Sequence, residues 1–428
     1  QEQSQIFESN QNADANDIDV VGDTAYMVTD WQGGFDNFRV LDVTDPTNVT
    51  ELGSLSLESS VNGIVVAVQG NYAYVGTNKS DKELIVIDVS DSGNPFVAIT
   101  YNVPHSEEPE SIWVSGNYVY LGMEKNSDQE FYIFDVQTPT NPTIVGQYEI
   151  GDDVAGITVN NNIAYLAIDH PTNTLRVLDV SNPSSIQLLA THTVTSEEGE
   201  DVAYMDGKIY FVSEETGSGD EFIIVDVSTP SNPTVPGGVD LDTEGRAVDV
   251  FDTYAFLTTA ENNKEFQIID ISSPNNPQLV ETFDLGSRGN GLKANANAVY
   301  VTSDNNSSAL YIFTYPVPVY FGSGNYTSQE IDSGSSTTKW LTFNWEGTVP
   351  TGTSLNFQIR TADTEGNLAS AIWVGPDGTN GTSYTANQTI ITTSPDASGT
   401  RWIQYRVNMT SDGDNTPEVT DIRIQYRP

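Results

Sequence analysis

Along the first three quarters of the chain, apolar positions fall in short runs separated by Gly, Asn, Asp and Pro. The second of these groups is typical: GIVVAVQ (63–69), YAYVGTN (72–78), ELIVIDVS (83–90) and PFVAITYNV (95–103). Runs this short, rich in Val, Ile, Tyr and Phe and bounded by turn residues, predict β-strands. No stretch sustains the 3.6-residue period of an amphipathic helix, so the chain reads as all-β.

Two landmarks recur in phase. One is an apolar run ending in Asp: FRVLDV (38–43), LIVIDV (84–89), FYIFDV (131–136), LRVLDV (175–180), FIIVDV (222–227) and FQIIDI (266–271). A seventh, LYIFTY (310–315), has Thr314 in place of the Asp. The other is a turn followed by an aromatic strand, whose rings align at Tyr26, Tyr74, Tyr120, Tyr165, Tyr210, Phe256 and Tyr300, 44 to 48 residues apart. Four short strands per unit at this period predict a β-propeller of seven four-stranded blades. The seventh unit stops after its third strand, and SQIFES (4–9) resembles the fourth strand of other units. The N-terminal segment is therefore expected to close the last blade and spare the ring an open edge.

The unit A-Y-V…L-x-V-I-D-V-S-x-P-x-N-P resembles the LVIVD repeat, over roughly residues 4–316. That resemblance implies an extracellular β-propeller of a surface protein and no established catalytic activity. The repeat ends at TYPVPVYFGSGNY (314–326), which reads as a short stiff linker. Domains are expected at 1–316 and 317–428. In the second, KWLTFNWEG, SLNFQIRTAD, SAIWVGP, RWIQYRVNM and TDIRIQYRP have a different spacing, and the alternation W-L-T-F-N-W predicts a β-sandwich. This region resembles the jelly-roll modules of bacterial surface and pilin-like proteins, related in shape to galactose-binding domains. The resemblance leaves sugar stacking on an exposed ring open, while Trp340, Trp345 and Trp402 read as core.

Charge narrows the partners. Sixty Asp and Glu face 16 Lys and Arg, a net −44. Nucleic acid is excluded as a partner, since phosphate binding needs clustered bases, and anionic membrane surfaces are disfavoured. There are no cysteines, which removes disulfides, thiolate metal sites and Cys nucleophiles. No apolar run approaches the ~20 residues of a membrane span. The opening QEQSQIFESN reads as a mature form whose targeting segment is not in view. Sequons at Asn48, Asn78, Asn305, Asn306, Asn325, Asn380, Asn387 and Asn408 are expected at the surface, where they make glycosylation an open question.

The repeated Asp42, Asp88, Asp135, Asp179, Asp226 and Asp270 read as turn caps, because Asp side chains bond backbone N–H groups one or two residues on. Chemistry is expected instead in the loops entering the innermost strands: NADAND (12–17), EEPE (107–110), GDD (151–153), EEGED (197–201) and DTEGR (242–246). Their Glu108, Glu110, Asp152, Asp153, Glu198, Glu200, Asp201 and Glu244 form a candidate hard-oxygen site for Ca²⁺ at the axial mouth, or else solvated loop tips. DGDN (412–415) reads as an Asp-Gly turn or a cation loop. His105, His170 and His192 sit in no metal spacing and beside no nucleophile motif, and no phosphate loop or G-x-S-x-G elbow is present. The expectation is a non-catalytic cell-surface or filament protein for adhesion, ligand capture or pilus-like assembly. Its partners would be a surface glycan, a protein ligand or copies of itself. A glycan-acting hydrolase or lyase using the acidic mouth is the alternative.

Overall fold

The computed structural model describes residues 2–7, 14–104, 107–125, 127–215, 217, 219–260, 263–305, 309–314, 322–385, 389–390, 399–411 and 415–428, with 2–7 and 389–390 as backbone alone. Residues 8–13, His105, Asn306, Asn387, the linker at 315–321 and most of DGDN lie outside them. The chain divides into two compact units, Gln1–Thr314 and Tyr315–Pro428, against an expected division after residue 316.

In the first unit the described residues form seven four-stranded antiparallel sheets. Six are meanders of consecutive strands, as in Gly63–Gln69, Tyr72–Thr77, Leu84–Asp88 and Phe96–Tyr101. The seventh takes its fourth strand from the other end of the chain: Glu2–Phe7 pairs antiparallel with Leu310–Thr314. The first strands of the sheets, beginning with Ala15–Val21 and ending with Gly289–Ala294, pack on one another in order, and the last packs on the first. Repeated sheets arranged in this way are a β-propeller architecture.

Burial within each sheet follows position. The second and third strands are covered on both faces by neighbouring sheets, so Tyr74, Val75, Leu84, Ile85, Val86 and Ile87 are all buried. This explains why their sequences are continuous apolar runs rather than alternating ones. The aligned rings are buried in every unit. Several stack on the residue opening the next strand, as Tyr120 does on Phe131 at 6.2 Å and Phe256 on Phe266 at 6.4 Å, an arrangement that adds to area burial. First and second strands meet in tight turns. Asn161–Asn162 and Asp206–Gly207 hold positive φ at both central positions, the backbone that hairpin turns demand of Asn, Asp and Gly.

The second unit has two sheets. One joins Ser323–Thr327, Ile331–Asp332 and Ser354–Ala362 to Trp402–Thr410; the other places Lys339–Thr348 between Thr389–Ile390 and Glu418–Arg427. Trp340, Phe343 and Trp345 of the second sheet share one core with Leu355, Phe357, Ile359, Ile403 and Val407 of the first. Trp340 and Trp345 are buried, as expected; Trp402 is only half-buried, with the Arg401 guanidinium 5.6 Å over its ring.

Candidate functional site: the axial cavity

Each of the seven first strands carries a β-bulge at its start. Pairing jumps from Ala15 to Asp17, Gly63 to Val65, Pro109 to Ser111, Gly199 to Asp201 and Gly245 to Ala247, leaving Asn16, Ile64, Glu110, Glu200 and Arg246 without an opposing residue. In the other two the jump is longer, from Asp153 to Gly156 and from Gly289 to Leu292. A bulge re-aims a side chain. Here Asn16, Ile64, Glu110, Ala155, Glu200, Arg246 and Asn290 all line the upper wall of one cavity of about 670 Å³.

Below the bulges, carboxylates tie sheet to sheet. Asp17 accepts the N–H of Ile18 in its own strand and that of Val66 in the next sheet, both at 2.8 Å. Asp19 does the same with Val20 and Val68, at 2.9 and 2.8 Å. Asp201 accepts from Val248 at 2.9 Å, and Asp249 from Ala294 at 3.0 Å. These bonds satisfy backbone donors that the radial gap between sheets would otherwise leave unpaired. Deeper still, Lys293 Nζ lies 3.6 Å from Asp249 and 3.9 Å from Asp19, and 5.9 Å from the centre of the Trp113 ring. The Asp249 charge, reinforced by Asp19 and Asp17, raises the pKa of this ammonium against the opposing effect of burial.

Burial raises the proton affinity of several carboxyls in the wall. Burial, with the charges of Asp153 and Glu124 added, pushes Glu110 up to about 8. Burial pushes Glu200 to about 8 as well, although Arg246 acts in the opposite direction. Asp17 rises to about 7 and Asp201 to about 6, both through desolvation that their backbone hydrogen bonds only partly offset. Among the described residues, five buried polar atoms of this wall have no hydrogen-bond partner: Glu110 Oε2, Trp113 Nε1, Thr158 Oγ1, Arg246 Nε and Asn290 Oδ1.

The eight acids singled out from the sequence therefore separate. Glu110, Glu200 and Asp201 line the cavity. Glu108, Asp152, Asp153, Glu198 and Glu244 do not. Asp152 pairs with Lys125 at 2.6 Å, with His170 at 3.8 Å, and Asp153 accepts the Lys125 backbone N–H. Glu244 pairs with Arg246 at 2.7 Å. Glu198 shares a hydrogen bond with Asp169, which burial and that carboxylate raise to about 6, and Glu108 is exposed. Among the described residues no three His, Asp or Glu side chains are grouped so as to hold a metal ion. The carboxylates next to the bulges are instead engaged one by one, Asp17 and Asp201 with backbone N–H groups of the neighbouring sheet and Asp152 and Glu244 in ion pairs.

Asp19, Asp249, Lys293 and Trp113 escaped the sequence reading. Their signal was nonetheless present: they pair with the aligned aromatics Tyr26, Phe256, Tyr300 and Tyr120, at the position that is Ala67 and Ala203 in other units. The repeated Asp of the third strand stays outside this site. Asp42, Asp88, Asp135, Asp179, Asp226 and Asp270 each accept the N–H two residues on, at 2.8–2.9 Å.

The LVIVD repeat model matches residues 12–56, 64–103, 108–150, 151–193, 217–240 and 244–285, more than half of the chain. The chain belongs to the LVIVD-repeat family. Solved structures similar to this LVIVD-repeat protein support the propeller fold. The mitotic checkpoint complex contains a chain that is 12% identical, with TM-score 0.57, over 73% of this chain and 92% of that one. Virginiamycin B lyase from Staphylococcus aureus is 12% identical, with TM-score 0.55, over 73% and 98%. The computationally designed Ika8 protein is 11% identical, with TM-score 0.52, over 73% and 100%. At these identities the likeness concerns the fold alone. Comparison with the curated proteins found no match.

Proposed function

We propose that this protein is a non-catalytic extracellular surface protein that captures a ligand in the axial cavity of a seven-bladed propeller. In this reading the N-terminal strand closes the ring, and the second unit is a β-sandwich that serves display or assembly. The observation that carries the proposal is the cavity itself. Its volume of about 670 Å³ falls within the roughly 300–1,000 Å³ of small-molecule sites. Its lining side chains include both hydrogen-bond donors and acceptors, among them Asn16, Ser111, Arg246 and Arg288. Binding rather than turnover is favoured because neither described histidine lies in the wall, and the deeper carboxylates Asp17, Asp19, Asp201 and Asp249 are already committed to backbone N–H groups.

One feature favours the hydrolase alternative: burial raises the proton affinity of both Glu110 and Glu200, to about 8, the direction a general acid needs. A single experiment separates the two readings. The protein is applied to a panel of immobilised glycans, and the same glycans are incubated with it in solution. Retention without released product supports capture, whereas sustained product formation overturns it.

A further inference from the structure

We propose that two copies of this chain pair through residues 421–427, strand against strand and antiparallel about a two-fold axis at Ile424. This names the partner in the assembly role given to the second unit. Ligand capture by the propeller stands or falls separately, on the glycan panel.

The first observation is an open edge. Glu418–Arg427 ends its sheet, and among the described residues its only neighbour is Lys339–Thr348. Half of its backbone N–H and C=O groups therefore point away from that neighbour, a template for another strand. The outer strands of the propeller sheets are edges too, but each is broken by a register shift. Val40 pairs with Gly53, for example, and Leu41 with Glu51. Such bulges blunt an edge. Glu418–Arg427 contains neither Pro nor Gly. Its own inserted residue is Thr420, and the other shift inserts Leu341 in the neighbour, so 421–427 runs without interruption.

The second observation is that this edge fits itself. Antiparallel pairing centred on Ile424 sets Asp421 against Arg427 of the second copy, and Arg427 against its Asp421. It sets Ile422 against Tyr426, Arg423 against Gln425, and Ile424 against its equivalent. Opposite-charge and aromatic–β-branched pairs are the favourable cross-strand contacts. Directly opposite residues share a face, so Ile422, Ile424 and Tyr426 of both copies meet on the core side. Ile422 and Ile424 pack on the core yet stay half-buried, and Tyr426 is 44% exposed. The second copy covers what they leave open.

The charges within one chain point the same way. Across the existing ladder Asp421 stands opposite Glu346 and Arg427 opposite Lys339, and like charges so placed are destabilising. Arg423 relieves the first pair, bonding Asp421 and lying 3.4 Å from Glu346. Among the described residues no ion pair relieves the second. The second copy brings a carboxylate to Arg427.

The test is sedimentation of the full chain over a concentration series, and the parent is expected to reach twice the mass of one chain. Asp421→Arg sets arginine against arginine at both ends of the pairing; Arg427→Asp sets aspartate against aspartate. Each variant alone should dimerise about tenfold or more weakly, with two contacts turned from attraction to repulsion. Mixed in equal amounts, the two variants again oppose unlike charges, and a dimer of one of each should form as tightly as the parent's. Arg427 is exposed and Asp421 half-buried, and both variants are expected to melt with the parent. A second measurement needs no substitution: amide exchange across 421–427 of the parent should slow as concentration rises. A parent that is monomeric at every concentration overturns the proposal. So does a dimer that both variants leave intact, a loss that mixing fails to restore, or a dimer in which exchange across 421–427 is unchanged.

Discussion

A buried glutamate immediately before the third strand does structural work that the repeat pattern hides. Glu83, Glu130, Glu221 and Glu265 are all within 1% of complete burial. Each accepts the backbone N–H of a residue twenty positions on, namely Val103, Ile150, Leu241 and Leu285, at 2.7–2.9 Å. In other units Asn37 and Thr174 take this place and bond Leu57 and Val194. The bond joins the start of the third strand to the segment leaving the fourth. Glu130 also accepts from Gly151 at 3.0 Å. Glu130→Ala should therefore strand two backbone donors and lower unfolding stability by about 2–4 kcal/mol, measured by urea denaturation, while Glu130→Gln should cost about half as much or less. The exposed turn cap Asp88, which accepts from both the N–H and the hydroxyl of Ser90, should be worth less. Asp88→Ala is expected to cost about 1 kcal/mol in the same assay, comparable to the loss of a helix cap.

At the scale of the element, the first strand of each sheet is the most variable and the most consequential. Its start bulges into the cavity mouth, in three of the seven sheets it carries the carboxylates that clamp the next sheet, and its middle pairs with the aligned aromatic. Lys293 neutralises the deeper wall on one such strand. Lys293→Met keeps the length of the side chain but leaves Asp19 and Asp249 facing each other without a cation. It should lower the melting temperature, and added salt should restore part of the loss by screening their repulsion. A purely steric role for Lys293 would show no such salt dependence.

For the whole molecule, charge is distributed unequally. The first unit holds 10 Lys and Arg against 49 Asp and Glu, a net −39, and the second 6 against 11, a net −5. The acids of the cavity wall make stability depend on pH in a definite direction. Glu110 and Glu200 titrate near 8 in the folded protein against an ordinary 4.5, and Asp17 and Asp201 near 7 and 6 against 3.8. Between these limits the folded chain binds more protons than the unfolded one. The contribution of these groups is thus full below about pH 4 and is lost as pH rises through 8. Asp42, Asp179 and Asp226, held below the usual range by Thr44, Ser181 and Ser228, act oppositely, but only below pH 3.8. Melting temperature should accordingly rise from pH 8.5 to about pH 5, and Glu110→Gln should flatten the slope. Closure of the ring is tested at the same scale. Removing residues 1–12 deletes the fourth strand of the seventh sheet and exposes the edge of Leu310–Thr314. Melting should fall by several degrees and lose cooperativity, whereas removal of an unattached tail would leave it unchanged.

What could be read from the chain alone was whatever repeats. The strands, their four-fold grouping and the turns between them follow from local apolar pattern and from Gly, Asn and Pro, and these recur often enough for one unit to support the reading of the next. The role of the third-strand Asp was legible for the same reason, because its partner lies two residues away. The cavity was legible only in part. Glu110, Glu200 and Asp201 stood out as acids near the right strands, yet nothing local distinguished them from Glu108, Asp152 or Glu244. That distinction depends on a bulge, which is a property of pairing between strands. Lys293, Asp249, Asp19 and Trp113 come from four different sheets and as much as 274 positions apart in sequence. Only closure of the propeller brings them together. Tertiary structure decided which charges meet, because the interactions that shift a carboxyl or pin an ammonium act over a few ångströms of space, without regard to distance along the chain.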